Sequence, residues 1–320
     1  MLGLIRRVAH CLLVMLAVSA WSAPASAEKL TVLLDWFVNP DHGPLIIARE
    51  KGFFAAAGLE VDFIQPADPN DPPKLVAAGR GDVAVSYQPQ LHLQVQEGLP
   101  LMRIGTLVAT PLNTLVTLKH GPVSSVADLG GKKVGYSVGG FEDAVLGAML
   151  ERHGLSLDQV ELVNVNFALS PALISGQVDA VIGAFRNFEL NQLDILGQPG
   201  QAFYPEENGV PAYDELIYVV HRDSLARPAL RSFLDAIETA TNWLINHPDE
   251  GWEVFKSAYP DLDDELNRRA WRDTLLRFAL RPAALDRGRY SRFAKFLEDS
   301  NLVKNPPPVS DYAVDIGANE

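Results

Sequence analysis

Two ten-residue stretches far apart in the chain carry the same pattern, and they constrain the fold more than any other feature. Lys74-Leu75-Val76-Ala77-Ala78-Gly79-Arg80-Gly81-Asp82-Val83 is matched by Pro171-Ala172-Leu173-Ile174-Ser175-Gly176-Gln177-Val178-Asp179-Ala180. In each, a short helical run ends at a glycine, and an aspartate precedes an apolar run of strand character. Each stretch lies within its own alternation of strand and helix signals. In the first unit, 30–34, 59–64 and 82–86 read as strands, with helical patterns over 44–57 and 72–78. In the second, 132–137, 162–166 and 178–184 read as strands, 141–153 as an amphipathic helix and 172–175 as a helical turn. Such alternation predicts largely parallel sheets with helices on both faces, and two units on one plan predict two similar lobes facing one another.

The long extended segment 106–118 suits a crossing from one lobe to the other. The turn-rich stretch 205–211 precedes a second extended segment, 215–220, suited to the return. Two crossings make a hinge. From Ser224 onward the pattern is mainly helical, with helices opening at Arg227-Pro228 and spanning 248–259, before the extended tail 305–308. The expected fold class is therefore α/β, two-lobed, each lobe a doubly wound mixed sheet. Lobe one is expected to comprise 28–116 with 211–320, and lobe two 117–210.

The N-terminus reads as a leader to be removed before folding. Arg6-Arg7 is followed by the apolar run 8–18 and by Ala25-Ser26-Ala27, small residues at positions a signal peptidase reads. Cleavage is expected after Ala27, giving a periplasmic protein. The single cysteine, Cys11, lies within this leader, so the exported chain has no disulfide, no cysteine-bound metal and no thiol nucleophile. It must be held together by burial, for which 293 residues suffice in two lobes. Losing two arginines takes the net charge from −13 to −15. An acidic surface repels nucleic acid and anionic lipid as partners.

Particular residues resemble a known family. The segments 45–59 (LIIAREKGFFAAAGL), 75–83 and 128–136 (DLGGKKVGY) look like hallmark segments of type II periplasmic solute-binding proteins. The opening Leu34-Asp35-Trp36-Phe37, with Asn39 and His42, resembles the NMT1-like branch that binds thiamine pyrimidine precursors. That branch includes bacterial formylaminopyrimidine-binding proteins of ABC importers and related fungal pyrimidine synthases. The resemblance implies a monomeric receptor that captures an aminopyrimidine and delivers it to an inner-membrane permease with its cytoplasmic ATPase. It implies no cofactor and no catalysis. Receptors of this fold also carry sulfonates, nitrate and flavin precursors, which are the alternative ligands. The synthases use a lysine for pyridoxal phosphate, a sacrificial histidine and a cysteine-rich metal motif. In alignment with them, Ser86 and Gln90 stand at the lysine and histidine positions, and 210–218 holds no cysteine. A Schiff base needs an amine and a soft metal site needs thiolates, so a synthase reading is disfavoured.

In a doubly wound lobe, ligands bind beyond the carboxyl ends of the strands. The expected ligand-binding residues are therefore those that follow the strands. After the first come Asp35 and Trp36, the latter a flat stacking surface worth about 0.5–1.5 kcal/mol beyond burial, then Asn39 and His42 as polar contacts or turn caps. Ser86 and Tyr87 follow the third strand. Ser137, Gly139, Gly140 and Phe141 form the first strand-to-helix turn of lobe two, where exposed backbone amides suit a polar oxygen. Phe185, Asn187 and Glu189 follow the last strand of lobe two. A carboxyl at Glu189 suits the ring nitrogen and amino group of an aminopyrimidine, unless Arg186 pairs with it. Tyr213, with Asp214 beside it, lies at the return crossing. The histidines show no spacing suited to a metal, and no G-x-S-x-G element marks a serine hydrolase. The exported protein is expected to begin at Glu28, which the intact mass of periplasmic protein checks.

Overall fold

The computed structural model describes residues 27–317. The expected leader lies outside the described residues, apart from Ala27. The first unit runs β1 (Glu28–Leu33), α1 (Gly43–Glu50), α2 (Phe53–Ala56), β2 (Leu59–Ile64), α3 (Pro72–Ala77), β3 (Val83–Ser86), α4 (Gln88–Gln96) and β4 (Leu101–Val108). The second runs β5 (Asn113–Leu118), β6 (Lys133–Tyr136), α5 (Phe141–Arg152), β7 (Glu161–Asn164), α6 (Leu169–Ile174), β8 (Ala180–Phe185), α7 (Glu189–Ile195) and β9 (Gly200–Phe203). Then come β10 (Leu216–His221) and the helices α8 (Pro228–Asn246), α9 (Pro248–Ala258), α10 (Glu265–Thr274) and α11 (Arg287–Asp299). Among the described residues no helix is long and apolar enough to cross a membrane.

The strands form two mixed five-stranded sheets, ordered β2-β1-β3-β10-β4 and β7-β6-β8-β5-β9. The sheets share one plan. In each, the first three strands are parallel and the fourth is antiparallel to both neighbours. That fourth strand is the one that has just arrived from the other sheet. The segment 106–118, expected as a single crossing, is two strands in different sheets, with the crossing itself at 109–112. The chain thus leaves the first sheet before the boundary expected at 116/117, because 113–118 pairs wholly within the second.

The repeated aspartate has a structural cause. Asp82 accepts the Thr31 N–H of β1 at 2.7 Å through its side chain and donates its own N–H to Thr31 O at 3.0 Å. Asp179 does the same with Lys133 of β6, at 2.9 and 2.8 Å. Each aspartate therefore locks the entry of the third strand of its sheet to the first, satisfying backbone groups at the sheet end. The preceding glycines, Gly79 and Gly176, turn the chain at φ +70° and +73°, where a β-carbon is strained.

The expected helix over 44–57 is broken after Glu50, because Gly52 adopts φ +74° and ends the first segment. The crossings are tied together. Glu215 accepts the N–H groups of Leu112 and Asn113 at 2.5 and 2.9 Å. Arg186 does not pair with Glu189. It forks onto Glu206 at 2.6 and 3.0 Å and donates to the carbonyls of Leu112 and Asn113. One buried cation anchors the C-terminal tail: Arg103 donates to the carbonyls of Ala283, Ala284 and Val314 and to the Thr106 hydroxyl. Replacing Arg103 with Ala strands those buried acceptors and is expected to lower unfolding free energy by about 3 kcal/mol or more. Urea denaturation checks the loss, and limited proteolysis should cut the tail first.

Candidate functional site

The carboxyl ends of β1, β3 and β8 and the N-termini of α5 and α7 converge on a narrow cavity of about 30 Å³ between the sheets. Its walls are Asp35, Trp36, Asn39, Asp41, Tyr87, Glu142, Leu169, Gly183, Phe185, Phe188 and Glu189. Six of these were expected from the sequence: Asp35, Trp36, Asn39, Tyr87, Phe185 and Glu189.

The first half contributes a rigid acidic loop. Pro40 fixes a tight helical turn, which Asn39 caps by accepting the Asp41 N–H at 2.8 Å. The Asn39 N–H donates to His42 Nδ1 at 3.3 Å, so the ring proton sits on Nε2 and points at Asp35 Oδ1, 3.0 Å away. The Tyr87 hydroxyl donates to the other oxygen of Asp35 at 2.9 Å. Burial and the neighbouring Asp35 charge push the Tyr87 hydroxyl well above its ordinary range, so it remains a donor. Asp41 accepts from Asn187 at 2.6 Å and from Thr274 at 2.9 Å, and burial raises it to about 6.

The second half adds two more acids. Glu142, in the first turn of α5, accepts the Ser137 N–H at 2.7 Å. It lies on Gly183, whose φ of +92° and missing side chain make room for it; a β-carbon there would overlap the carboxyl. Glu189, the first residue of α7, accepts the Phe185 N–H at 2.6 Å. Desolvation raises Glu142 to about 8 and Glu189 to about 7. Each half thus supplies two carboxyls, and among the described residues no lysine or arginine lines the cavity.

Apolar walls complete the site. Trp36 meets Phe167 of the other half edge-on at 4.6 Å between ring centroids, and Phe37 meets the same ring at 4.4 Å. Tyr87 stacks on Phe141 at 5.2 Å and takes the edge of Phe185 at 6.5 Å.

The remaining expected residues are placed elsewhere. His42 is buried behind Asp35. Ser86 donates to Gln90 Oε1 at 2.9 Å in the interior. Ser137 and Phe141 support the wall without forming it, because the Ser137 N–H is taken by Glu142 and the Phe141 ring by Tyr87. The Gly139 N–H is taken by Asn70, and Gly140 is exposed at the left-handed φ of +84°. Asn187 faces Asp41 rather than the cavity. Tyr213 is fully buried against Phe141 and Phe293. Asp41, Glu142, Leu169, Gly183 and Phe188 line the cavity without having been expected. Glu142 carries one signal, an acid two residues after the Gly139-Gly140 pair at a helix start.

A family model described as NMT1/THI5 like matches residues 39–251. The chain belongs to the NMT1/THI5-like family. It is 54% identical over 290 residues to a putative thiamine biosynthesis protein of Haemophilus influenzae, covering 90% of this chain and 92% of that one. It is 36% identical over 229 residues to the formylaminopyrimidine-binding protein of Halalkalibacterium halodurans, covering 71% and 69%. Family members from Legionella pneumophila and several fungi, at 24–30% identity, are named 4-amino-5-hydroxymethyl-2-methylpyrimidine phosphate synthases. The fold is that of periplasmic binding proteins: the alkanesulfonate-binding protein of Xanthomonas axonopodis pv. citri, bound to MOPS, superposes with a TM-score of 0.71 at 15% identity, over 90% of this chain and 99% of that one.

The raised acids set a pH dependence. Folded Glu142 keeps its proton to about pH 8, whereas in the unfolded chain it loses it near 4.5. Between those values the folded state binds more protons, so its stability falls as pH rises. The melting temperature of the ligand-free family member is expected to decline from pH 5 to 8.5. Glu142→Gln, which mimics the protonated acid, should flatten that decline and melt higher than the parent at pH 8; differential scanning fluorimetry checks both.

Proposed function

We propose that this protein is the exported receptor of an ABC importer, and that its cavity captures a thiamine pyrimidine precursor such as formylaminopyrimidine. The observation that carries the reading is a small cavity walled by Asp35, Asp41, Glu142 and Glu189 with aromatic faces and, among the described residues, no lysine or arginine. Such a site attracts a flat ligand rich in N–H donors and opposes an anion. A carboxyl near neutrality, as Glu189 is at about 7, complements an aminopyrimidine edge in either protonation state. It donates O–H to the ring nitrogen, or accepts from the protonated ring, while its second oxygen accepts from the amino group. Trp36, Phe185 and Phe188 offer apolar area to the ring. The Halalkalibacterium relative, named for binding formylaminopyrimidine, supports the same ligand class.

Capture is by closure. The lobe built on the first sheet and the C-terminal helices rotates on the crossings near 109–112 and 204–215 against the lobe built on the second sheet. The ligand favours the closed form by its contacts to both. The closed form is then recognised by the permease and its ATPase. The protein works as a periplasmic monomer after removal of its leader. It is a receptor and not a synthase. A pyridoxal phosphate Schiff base needs an amine where this chain has Ser86, whose hydroxyl is spent on Gln90, and no lysine stands on the cavity wall among the described residues. The sulfonate alternative is disfavoured because its anionic oxygens would face four carboxyls with no lysine or arginine among the described wall residues.

Calorimetry on the leaderless protein tests the reading, with formylaminopyrimidine, 4-amino-5-hydroxymethyl-2-methylpyrimidine and MOPS as titrants. The pyrimidines are expected to bind at micromolar Kd or tighter, equivalent to about −8 kcal/mol. MOPS is expected to give no heat. Glu189→Ala is expected to weaken pyrimidine binding about 10- to 100-fold. Tight MOPS binding, or a Glu189→Ala variant with unchanged affinity, overturns the assignment.

A further inference from the structure

Among the hydrogen bonds that cross between the halves away from the crossings, two made by side-chain amides reach residues that build the cavity; a third, from Asn191 to Asp273 at 2.8 Å, joins the exposed faces of α7 and α10. Asn70, in the turn after β2, donates from Nδ2 to the Ser137 carbonyl at 3.2 Å and accepts the Gly139 N–H at 3.0 Å. Asp68 aims it, accepting from both its backbone and its side-chain nitrogen at 2.8 Å. Asn187, in the turn after β8, donates from Nδ2 to Asp41 Oδ1 at 2.6 Å and to Thr274 Oγ1 at 2.7 Å. Each half therefore reaches the other half's cavity residues or their supports with one of these two amides.

Their placement relative to the hinge differs. β2 lies three places from β10, and β6, whose following turn carries Ser137 and Gly139, lies two places from β5. At about 4.8 Å per strand the Asn70 contact is on the order of 10–14 Å from the hinge strands, so rotation about the hinge separates it widely. Asn187 follows Phe185, which pairs with Asn113 beside the crossing, so its contact lies deeper. Both contacts involve a neutral amide. When the halves part, neither of these two contacts loses an ion-pair partner; the one ion pair among the described residues that spans α7 and α10, Arg269 to Asp194 at 2.7 Å, is exposed, so its charges pass to water rather than being stranded.

We propose that Asn70 and Asn187 are positioning residues that complete the ligand site on closure and set how long the ligand stays. The proposal rests on the receptor reading of the cavity. Asn187 holds the Asp41 carboxyl in the cavity wall. Asn70 holds the turn 137–139, and with it the Ser137 N–H that orients Glu142. The Gly139 amide at the start of α5, a ligand contact by sequence, serves the opposite half instead.

Stopped-flow tryptophan fluorescence with 4-amino-5-hydroxymethyl-2-methylpyrimidine as probe tests this on the leaderless protein. Asn70→Ala and Asn187→Ala are each expected to speed dissociation roughly 5- to 10-fold and to leave association within about threefold. Because the contacts form on closure, the ligand-free variants should melt with the parent, and the ligand-induced rise in melting temperature should shrink. Dissociation at the parental rate overturns the proposal, as does a ligand-free melting temperature lowered as much as the liganded one. A second variant needs no ligand. The leaderless chain has no cysteine, so Asn70→Cys with Gly139→Cys allows a cross-link. Oxidation should reduce the radius of gyration in small-angle scattering, and reduction should restore it. An unchanged radius overturns the latch, whereas failure of the parent to bind any pyrimidine overturns the receptor reading alone.

Discussion

A carboxyl group removed from water must be paired, protonated or given donors. Asp35, Asp41, Glu142 and Glu189 are all buried around one cavity, and the protein answers each only in part. Asp35 receives His42 and Tyr87, and Asp41 receives Asn187 and Thr274. Glu142 and Glu189 each accept a backbone N–H. Among the described residues none has a lysine or arginine beside it on the cavity wall. The remaining demand for donors is what a ligand can meet, and it explains why the site is built from backbone amides, hydroxyls and an imidazole N–H. It also explains Gly183. Only a residue without a β-carbon lets the Glu142 carboxyl rest against β8, at the left-handed φ that strand position adopts.

The acids come from both halves, so the geometry of the cavity depends on how the halves meet. The shared plan of the two sheets places equivalent strand ends opposite one another. The equivalent aspartates, Asp82 and Asp179, fix each third strand to its first, and those strands carry or flank cavity residues. The crossings are held by Glu215 and by the Arg186–Glu206 fork, which tie the outgoing crossing to the residues around the return one. Glu215 is itself buried and raised to about 7, stabilised by the two N–H groups it accepts from the opposite crossing.

Most strands were legible because their apolar runs are short, β-branched and bounded by glycine or aspartate. Helices whose buried face is polar were not. Residues 88–96 bury Gln88, Gln90, His92 and Gln94, so hydrophobic periodicity says nothing about α4. His92 sits among the rings of Tyr290, Phe293 and Tyr312, where burial lowers it to about 3 and leaves it neutral. The site was half legible. Asp35, Trp36, Tyr87, Phe185 and Glu189 follow strands and were found by that rule. Asp41 and Phe188 are neighbours of expected residues, and the twist of each turn chose which one faces inward. Arg186, three residues before Glu189 in sequence, turns away to Glu206, because the two side chains leave the β8–α7 turn in different directions.

The sequence by itself determined the two α/β units, their common plan, the absence of thiols beyond Cys11 and the acidic balance. These follow from local patterns, whose physical basis reaches only a few residues along the chain. Only the tertiary structure decided which acids share a cavity, that Gly139 serves Asn70 rather than a ligand, and that Asn187 holds Asp41. These depend on residues brought together across the cleft, such as 41, 187 and 274. Their meeting is set by the angle between two sheets, which no local pattern encodes.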